Sequence, residues 1–306
     1  MSADINVAVL GPGAIGAFIA AVFWRYGVKV TCVARESTAE LISRDGIRFE
    51  SVMFGNYVAR TRAVSSLDVQ PTLLFVTTKA TSLESALERI NKKFVENAII
   101  IPLLNGIEHV DLLRNRYGPR VVPGIISIES KYLGANHISH VSPFARIQLA
   151  SDHDIMPEKL AEIALLLNNV GIETEVLSSE AEVLWGKLVR LNALACTTAA
   201  SDRAIGYIRT HPEWRELLMK CVDEGVEVAR AHAVNMESMT VMSFIDALPE
   251  SLGTSMQRDV ASGRKPELDA ITGAVIRAGK RKGLECPTIE MLFETIQKRI
   301  VANIKI

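Results

Sequence analysis

The chain has 306 residues, about two domains' worth at roughly 100–200 residues each, and its 48% hydrophobic and 23% charged residues furnish a buried core and exclude disorder or a collagen-like repeat. With 34 Lys and Arg against 35 Asp and Glu the formal net charge is -1, and no basic run could neutralise a row of phosphates, so nucleic acid is not expected as a partner. Nor is a membrane expected: the most apolar early stretch, Ala14–Trp24, contains Gly16 and stops at Arg25, well short of the ~18–20 residues of a span.

Met1-Ser2-Ala3-Asp4 has no basic n-region and a strand-like run begins at Ile5, so no signal peptide is expected and a cytoplasmic location is. Cys32, Cys196, Cys221 and Cys286 form no C-x-x-C pair and are expected to be reduced, packing residues. Apolar runs then alternate with helical stretches: Val7–Leu10, a helix over Ala14–Tyr26, a strand over Val28–Val33, another over Leu73–Thr77, a helix near Leu83–Phe94, and a strand over Ala98–Leu103. Short apolar runs separated by helices are the signature of parallel strands buried on both faces, which predicts an α/β, doubly wound sheet. From Gly124 to Ala150 strand-like pieces, including Ile138–Val141 and Ala145–Leu149, follow without long helices and are expected to extend the sheet, partly antiparallel.

Beyond Leu177 the strand signals stop. Helices are expected over Ser179–Ala195, over Glu213–His232 with its apolar residues near helical spacing, and over Thr288–Val301, where Pro287 at the start costs no hydrogen bond. The expected organisation is therefore a doubly wound domain over residues 1–177 and an all-helical domain over 178–306, packed together around a cleft.

Gly11-Pro12-Gly13-Ala14-Ile15-Gly16 is a G-x-G-x-x-G placed directly after a strand and at the opening of a helix. In that context Gly11 makes the tight turn, Gly13 admits a pyrophosphate to the backbone, Gly16 lets helix and strand pack closely, and the helix N-terminus at Ala14 and Ile15 presents N–H groups to phosphate. A purely structural Gly-rich turn is the alternative. The first domain thus reads as a Rossmann domain that binds a dinucleotide. The second strand ends in Ala34-Arg35-Glu36, where an NAD-binding domain usually places a carboxylate on the ribose 2′-hydroxyl. Arg35 can pair bidentately with a 2′-phosphate, which favours NADP, although a shift of one residue would restore an NAD-type carboxylate at Glu36.

Ligands of open α/β sheets bind beyond the carboxyl ends of the strands, which directs attention to Thr77-Thr78-Lys79 and Leu104-Asn105-Gly106. On local pattern alone Lys79 could be a solvated loop lysine and Asn105-Gly106 a plain turn; Lys187, in Leu184-Trp185-Gly186-Lys187-Leu188-Val189, reads as a snorkelling lysine and Glu267 as surface charge. His137 and His140, three apart in a strand-like segment, point to opposite faces, so no metal pair is expected there. His109 reads as a loop residue able to reach a substrate, and Cys196 as a packing residue with no His to activate it.

Taken together, the N-terminal glycines, Lys79 after its strand, Leu-Asn105-Gly106, Trp185-x-Lys187-Leu, and Ser255-Met followed by Gly-Arg and Glu267-x-Asp269-x-Ile-x-Gly273 resemble the ketopantoate reductase (2-dehydropantoate 2-reductase) family over nearly the whole chain. The resemblance implies NADPH-dependent reduction of a small 2-oxo acid, ketopantoate first among them, by a Rossmann lobe and a helical lobe. It assigns Lys187 as general acid, Glu267 as the active-site glutamate, and Asn105, Ser255 and Lys79 as substrate contacts, with Lys79, Asn105 and Glu267 also beside the cofactor. One departure stands out. The family pattern carries Asn four residues after the lysine, and often another four further on, where this chain has Leu191 and Ala195; Asn192 is one residue, about 100°, out of phase. The pocket is then more apolar than the family's, which leaves open a different 2-oxo acid. Two further readings stand apart from that departure: a non-catalytic nucleotide-binding regulator, against which Lys187 and Glu267 argue, and a homodimer through apolar positions on the helical half.

Overall fold

Alternation of residues between two apolar clusters builds the first half of the computed structural model, which describes residues 5–153 and 157–304; the Met1–Asp4 reading lies outside them. In β1 (Asn6–Leu10), Val7 and Val9 join one buried cluster with Phe18, Phe23 and Phe75, while Ala8 and Leu10 join another with Val33, Leu74 and Leu113. A strand with both faces buried needs helices on both sides, and α1 (Ala14–Arg25) covers the first face. There follow β2 (Lys29–Val33), α2 (Glu36–Asp45), β3 (Ile47–Ser51), β4 (Tyr57–Ala59), β5 (Arg62–Val64) and β6 (Leu73–Val76). The single helix expected near Leu83–Phe94 is instead a 3₁₀ turn at Ala80–Ser82, α3 (Leu83–Leu87) and α4 (Lys92–Val95). The Leu87 carbonyl accepts from Arg116 and the Arg89 carbonyl from Leu67, so two acceptors that a continuing helix needs are engaged elsewhere, and Asn91 caps a new start by accepting from Lys93 N at 3.1 Å.

With β7 (Ile99–Pro102) the parallel sheet is complete in the order β5-β2-β1-β6-β7. The order reverses between β1 and β6, the place where such sheets open a crevice at their carboxyl ends. Next come α5 (His109–Tyr117), β8 (Gly124–Ser127), β9 (Ser130–Gly134), β10 (His137–His140), β11 (Arg146–Leu149), α6 (Pro157–Asn169) and β12 (Glu173–Val176). These strands do not extend the main sheet as expected; they form separate sheets, β4-β3-β10-β9 and β12-β11-β8, with the expected antiparallel pairing at β9–β10 and β8–β11. Ile100 exchanges hydrogen bonds with Arg120 and Val122, but the next donor along β7 would be Pro102, which has no N–H, and the ladder stops.

The remaining elements are helical: α7 (Glu180–Ser201), α8 (Ile205–Thr210), α9 (Pro212–Ala231), α10 (Ser238–Asp246), α11 (Ser255–Ala261), a π-helical turn at Asp269–Gly273, α12 (Ala274–Arg281) and α13 (Pro287–Ile304). Pro212 and Pro287 open their helices, and Glu224 on α9 accepts from Thr288 N and Ile289 N at 2.8 and 2.9 Å, satisfying the first donors of α13. Two compact units result, one up to Leu104 together with His109–Val183, the other Asn105–Glu108 together with Leu184 onward. The division falls inside α7, later than residue 177, because that helix begins on the first unit. The four cysteines are buried and form no disulfide, and no helix among the described residues is long and apolar enough to cross a membrane.

Candidate active site

At the carboxyl end of β1, Gly11 takes φ +87°, and a Cβ there would press on Thr78 Cγ2 at 2.6 Å. A Cβ on Gly16 would overlap the Gly11 carbonyl and Thr77 Oγ1, which donates to the Leu10 and Gly11 carbonyls at 3.0 and 2.8 Å. Gly13 is different: a Cβ there would meet nothing within 4 Å. It precedes a helix with no side-chain cap and no acidic residue in its first turn, so the donors at Ala14, Ile15 and Gly16 head an open, electropositive cradle that fits a pyrophosphate. Arg35 is exposed at the N-cap of α2, with Glu36 the first residue of that helix. Lys79 is exposed at the start of the 3₁₀ turn that follows β6. His109 is buried at the head of α5 rather than in a solvated loop. His137 pairs with Glu50 at 2.7 Å, whereas His140 is buried and bonded to Ser51 and Ser142.

The second unit gathers three of the expected residues. Asn105 Nδ2 donates to Glu267 Oε2 at 3.0 Å, although 162 positions separate them. The loop that carries Asn105 is fastened at Gly106 and at Glu108. Gly106 has φ +88° and packs against the Ala270 carbonyl so closely that any Cβ would overlap it. Glu108 forms a bidentate pair with Arg277, at 2.9 and 2.6 Å, and Arg277 also reaches Asp269 at 2.7 Å. Hydrogen bonding to Arg277 holds the Glu108 carboxyl below its usual pKa, and the guanidinium is shifted up in return.

Glu267 is buried, not the surface charge its local pattern suggested. Pro266, Glu267 and Leu268 are buried in succession ahead of the π turn, whose wider period breaks the α-helical spacing on which the surface reading rests. Lys187, on α7, is desolvated. Burial pushes its ammonium down to about 8, the Glu267 carboxylate opposes that shift, and the neighbouring Arg190 charge adds to it. Ser255 is exposed at the first position of α11. Its predecessor Thr254 caps that helix and bonds Thr198 at 2.9 Å, and Thr198 lies eleven residues beyond Lys187, about 20° round on α7.

α7 is unbroken from Glu180 to Ser201, so the phase of Leu191, Asn192 and Ala195 follows directly from Lys187. Leu191 is half-buried and Ala195 fully buried. Asn192 points away, its amide donating to Cys221 Sγ at 3.6 Å and accepting from Cys196 at 3.2 Å. Cys196 is fully buried and also bonds Thr272, a packing role. Sequence reading missed Glu108, Arg277 and Arg190. Glu108 and Arg190 each lie three residues after a residue already singled out, the one signal that could have drawn attention to them.

The family model "Ketopantoate reductase PanE/ApbA" matches residues 7–152, and its C-terminal companion matches residues 181–299. The chain is 25% identical to the uncharacterized oxidoreductase YkpB of Bacillus subtilis, over 94% of this chain and 97% of that protein. It is 24% identical to the 2-dehydropantoate 2-reductase of Pyrococcus horikoshii, over 96% and 97%. Among solved structures, D-mandelate dehydrogenase with NADH and anilino(oxo)acetate shares the fold at a TM-score of 0.90 and 19% identity, over 98% of this chain and 99% of that one.

Proposed function

The chain belongs to the ketopantoate reductase family, and from that premise we propose that it reduces the carbonyl of a small 2-oxo acid to the 2-hydroxy acid with NADPH, converting ketopantoate to pantoate as its leading reaction. The observation that carries this reading is the Asn105–Glu267–Lys187 cluster, which brings a desolvated ammonium under the influence of a buried carboxylate held by Asn105.

Residues 1–177 are assigned to the dinucleotide, with Gly11, Gly13, Ala14, Ile15 and Gly16 at the pyrophosphate; residues 178–306 are assigned to substrate and catalysis, joined by Asn105 from its loop. Bound reduced nicotinamide supplies the hydride. As the carbonyl carbon gains that hydride, its oxygen takes up the π electrons, and Lys187 stabilises the charge and then gives the oxygen its proton. Glu267 keeps the ammonium charged and oriented, and Asn105 holds Glu267. Lys79 and Ser255 are assigned to substrate contacts. The charged Lys187 and Glu267 side chains, costly to bury in a protein that merely binds nucleotide, favour an enzyme over a regulator. NADPH as reductant and four cysteines outside any disulfide suit a reducing cytoplasm. A steady-state screen of small 2-oxo acids with NADPH tests the proposal, and absence of turnover with every acid would refute it.

Arg35 carries the choice of NADP. Arg35→Ala is expected to raise the NADPH KM by about 10–100-fold, the worth of a charge-assisted contact, with little effect on NADH. Equal effects on both cofactors would remove Arg35 from the 2′-phosphate.

Leu191 and Ala195 favour, as a second reading, a 2-oxo acid without the hydroxyl of ketopantoate. Apolar residues there retain only the ~1–3 kcal/mol of selectivity available from fit, not the larger discrimination of a buried hydrogen bond. Leu191→Asn is expected to raise kcat/KM for ketopantoate relative to its deoxy analogue. A ratio unchanged in a folded, active variant would mean that residue 191 does not face substrate.

A further inference from the structure

Arg190 follows Lys187 by three residues on α7, a spacing that makes the two side chains neighbours on one helix face. Two contacts fix its guanidinium. Nε donates to the Gly186 carbonyl at 2.7 Å, and the guanidinium carbon stands 4.5 Å from the centre of the Phe244 ring on α10. Neither contact brings a negative charge, and among the described residues no carboxylate forms an ion pair with Arg190. Its burial is great enough to lower its pKa. A guanidinium partly withdrawn from water beside the Lys187 ammonium, with no carboxylate paired to it, is costly. The backbone bond and the aromatic stack leave the Nη edge unused, and that edge is the planar fork that matches a carboxylate.

We propose that Arg190 binds the C1 carboxylate of the 2-oxo acid and so sets the adjacent carbonyl oxygen at Lys187; this rests on the function proposed above. Carboxylate and carbonyl sit on adjacent carbons in every 2-oxo acid, so the groups that receive them must be neighbours, as Arg190 and Lys187 are. The side chain also suits this chain's departure from the family pattern. Where Leu191 and Ala195 have removed neutral amides from the strip beside Lys187, a guanidinium on its other flank supplies recognition by charge. Gly186 and Phe244 hold the fork in place before substrate arrives, so little rotamer entropy is lost on binding. Specificity then lies in the acid function itself: a neutral ester of the same carbonyl compound gains nothing from Arg190.

The test compares ketopantoate, pyruvate and phenylglyoxylate, and for the fastest of them its methyl ester, in wild type, Arg190→Gln and Arg190→Lys. For Arg190→Gln the KM for the acid should rise about 10–100-fold with a much smaller change in kcat, while both constants for the ester stay within a few-fold and NADPH affinity, read by fluorescence titration, is unchanged. Arg190→Lys keeps charge without the fork and should fall between, shifting the acid-to-ester ratio several-fold. It also carries the test if the glutamine variant does not fold. Equal losses on acid and ester, or an unshifted ratio in both variants, would reduce Arg190 to a packing residue and overturn this assignment while leaving the reductase reading intact. A wild-type protein that reduces none of the acids would overturn both.

Discussion

Lys187→Ala is expected to lower kcat by about 10²–10⁴-fold, the usual contribution of a positioned general acid, while NADPH binding stays nearly intact. The reason lies in the surroundings of the side chain. Burial lowers the ammonium to about 8, close enough to neutral pH for the proton to be given up readily, and Glu267 limits that shift so that the charged form still dominates at pH 7. The acid form is the working one. In the wild type, kcat/KM should therefore be level below pH 8 and fall about tenfold per pH unit above it, as the ammonium with its pKa of about 8 titrates. The variant should lose that limb together with its rate. A folded variant that keeps turnover within a few-fold, with the alkaline limb intact, would mean that another group protonates the alkoxide.

The fold was more legible than the site, for reasons that can be traced to particular residues. The β1, β6 and β7 strands announce themselves because both faces are buried, so hydrophobicity runs unbroken through Val7–Leu10, Leu73–Val76 and Ile99–Pro102. β3, β4 and β5 carry charged or half-exposed residues such as Arg48, Glu50 and Arg62, and the sequence reading passed over them. In the Gly124–Ala150 region β10 takes β3 as its partner, and Pro102 has no N–H with which to continue the Ile100 ladder; both facts show only once the register is known. At the site, Lys187 and Glu267 were singled out by motif, but local periodicity misjudged Glu267, since the π turn beside it follows neither α nor β spacing. Arg277 acts through Glu108, which is 169 positions away. Long-range pairs of that kind leave no trace in a single sequence, whereas the phase of Asn192 was readable because it depends only on the pitch of an unbroken helix.

Gly13→Val is expected to raise the NADPH KM by about 100-fold or more, from the combined loss of several charge-assisted backbone contacts to phosphate, with a melting temperature close to that of the wild type. The three glycines of the turn separate folding from binding. Gly16 is pressed against the Gly11 carbonyl and Thr77, and Gly11 combines φ +87° with a contact to Thr78, so a side chain at either position strains the protein itself. Gly13 has a φ of -79°, which any residue adopts, and nothing within 4 Å of its Cβ position. The fold makes no demand for glycine there. What a side chain at residue 13 would obstruct is the approach of a ligand to the first turn of α1, where no acidic residue competes for the N–H groups. Gly16→Val, by contrast, should lose stability and activity together. A Gly13→Val protein that is folded and binds NADPH as tightly as the wild type would show that the pyrophosphate does not sit on this turn, and the assignment of Gly11–Gly16 to the cofactor would have to be abandoned.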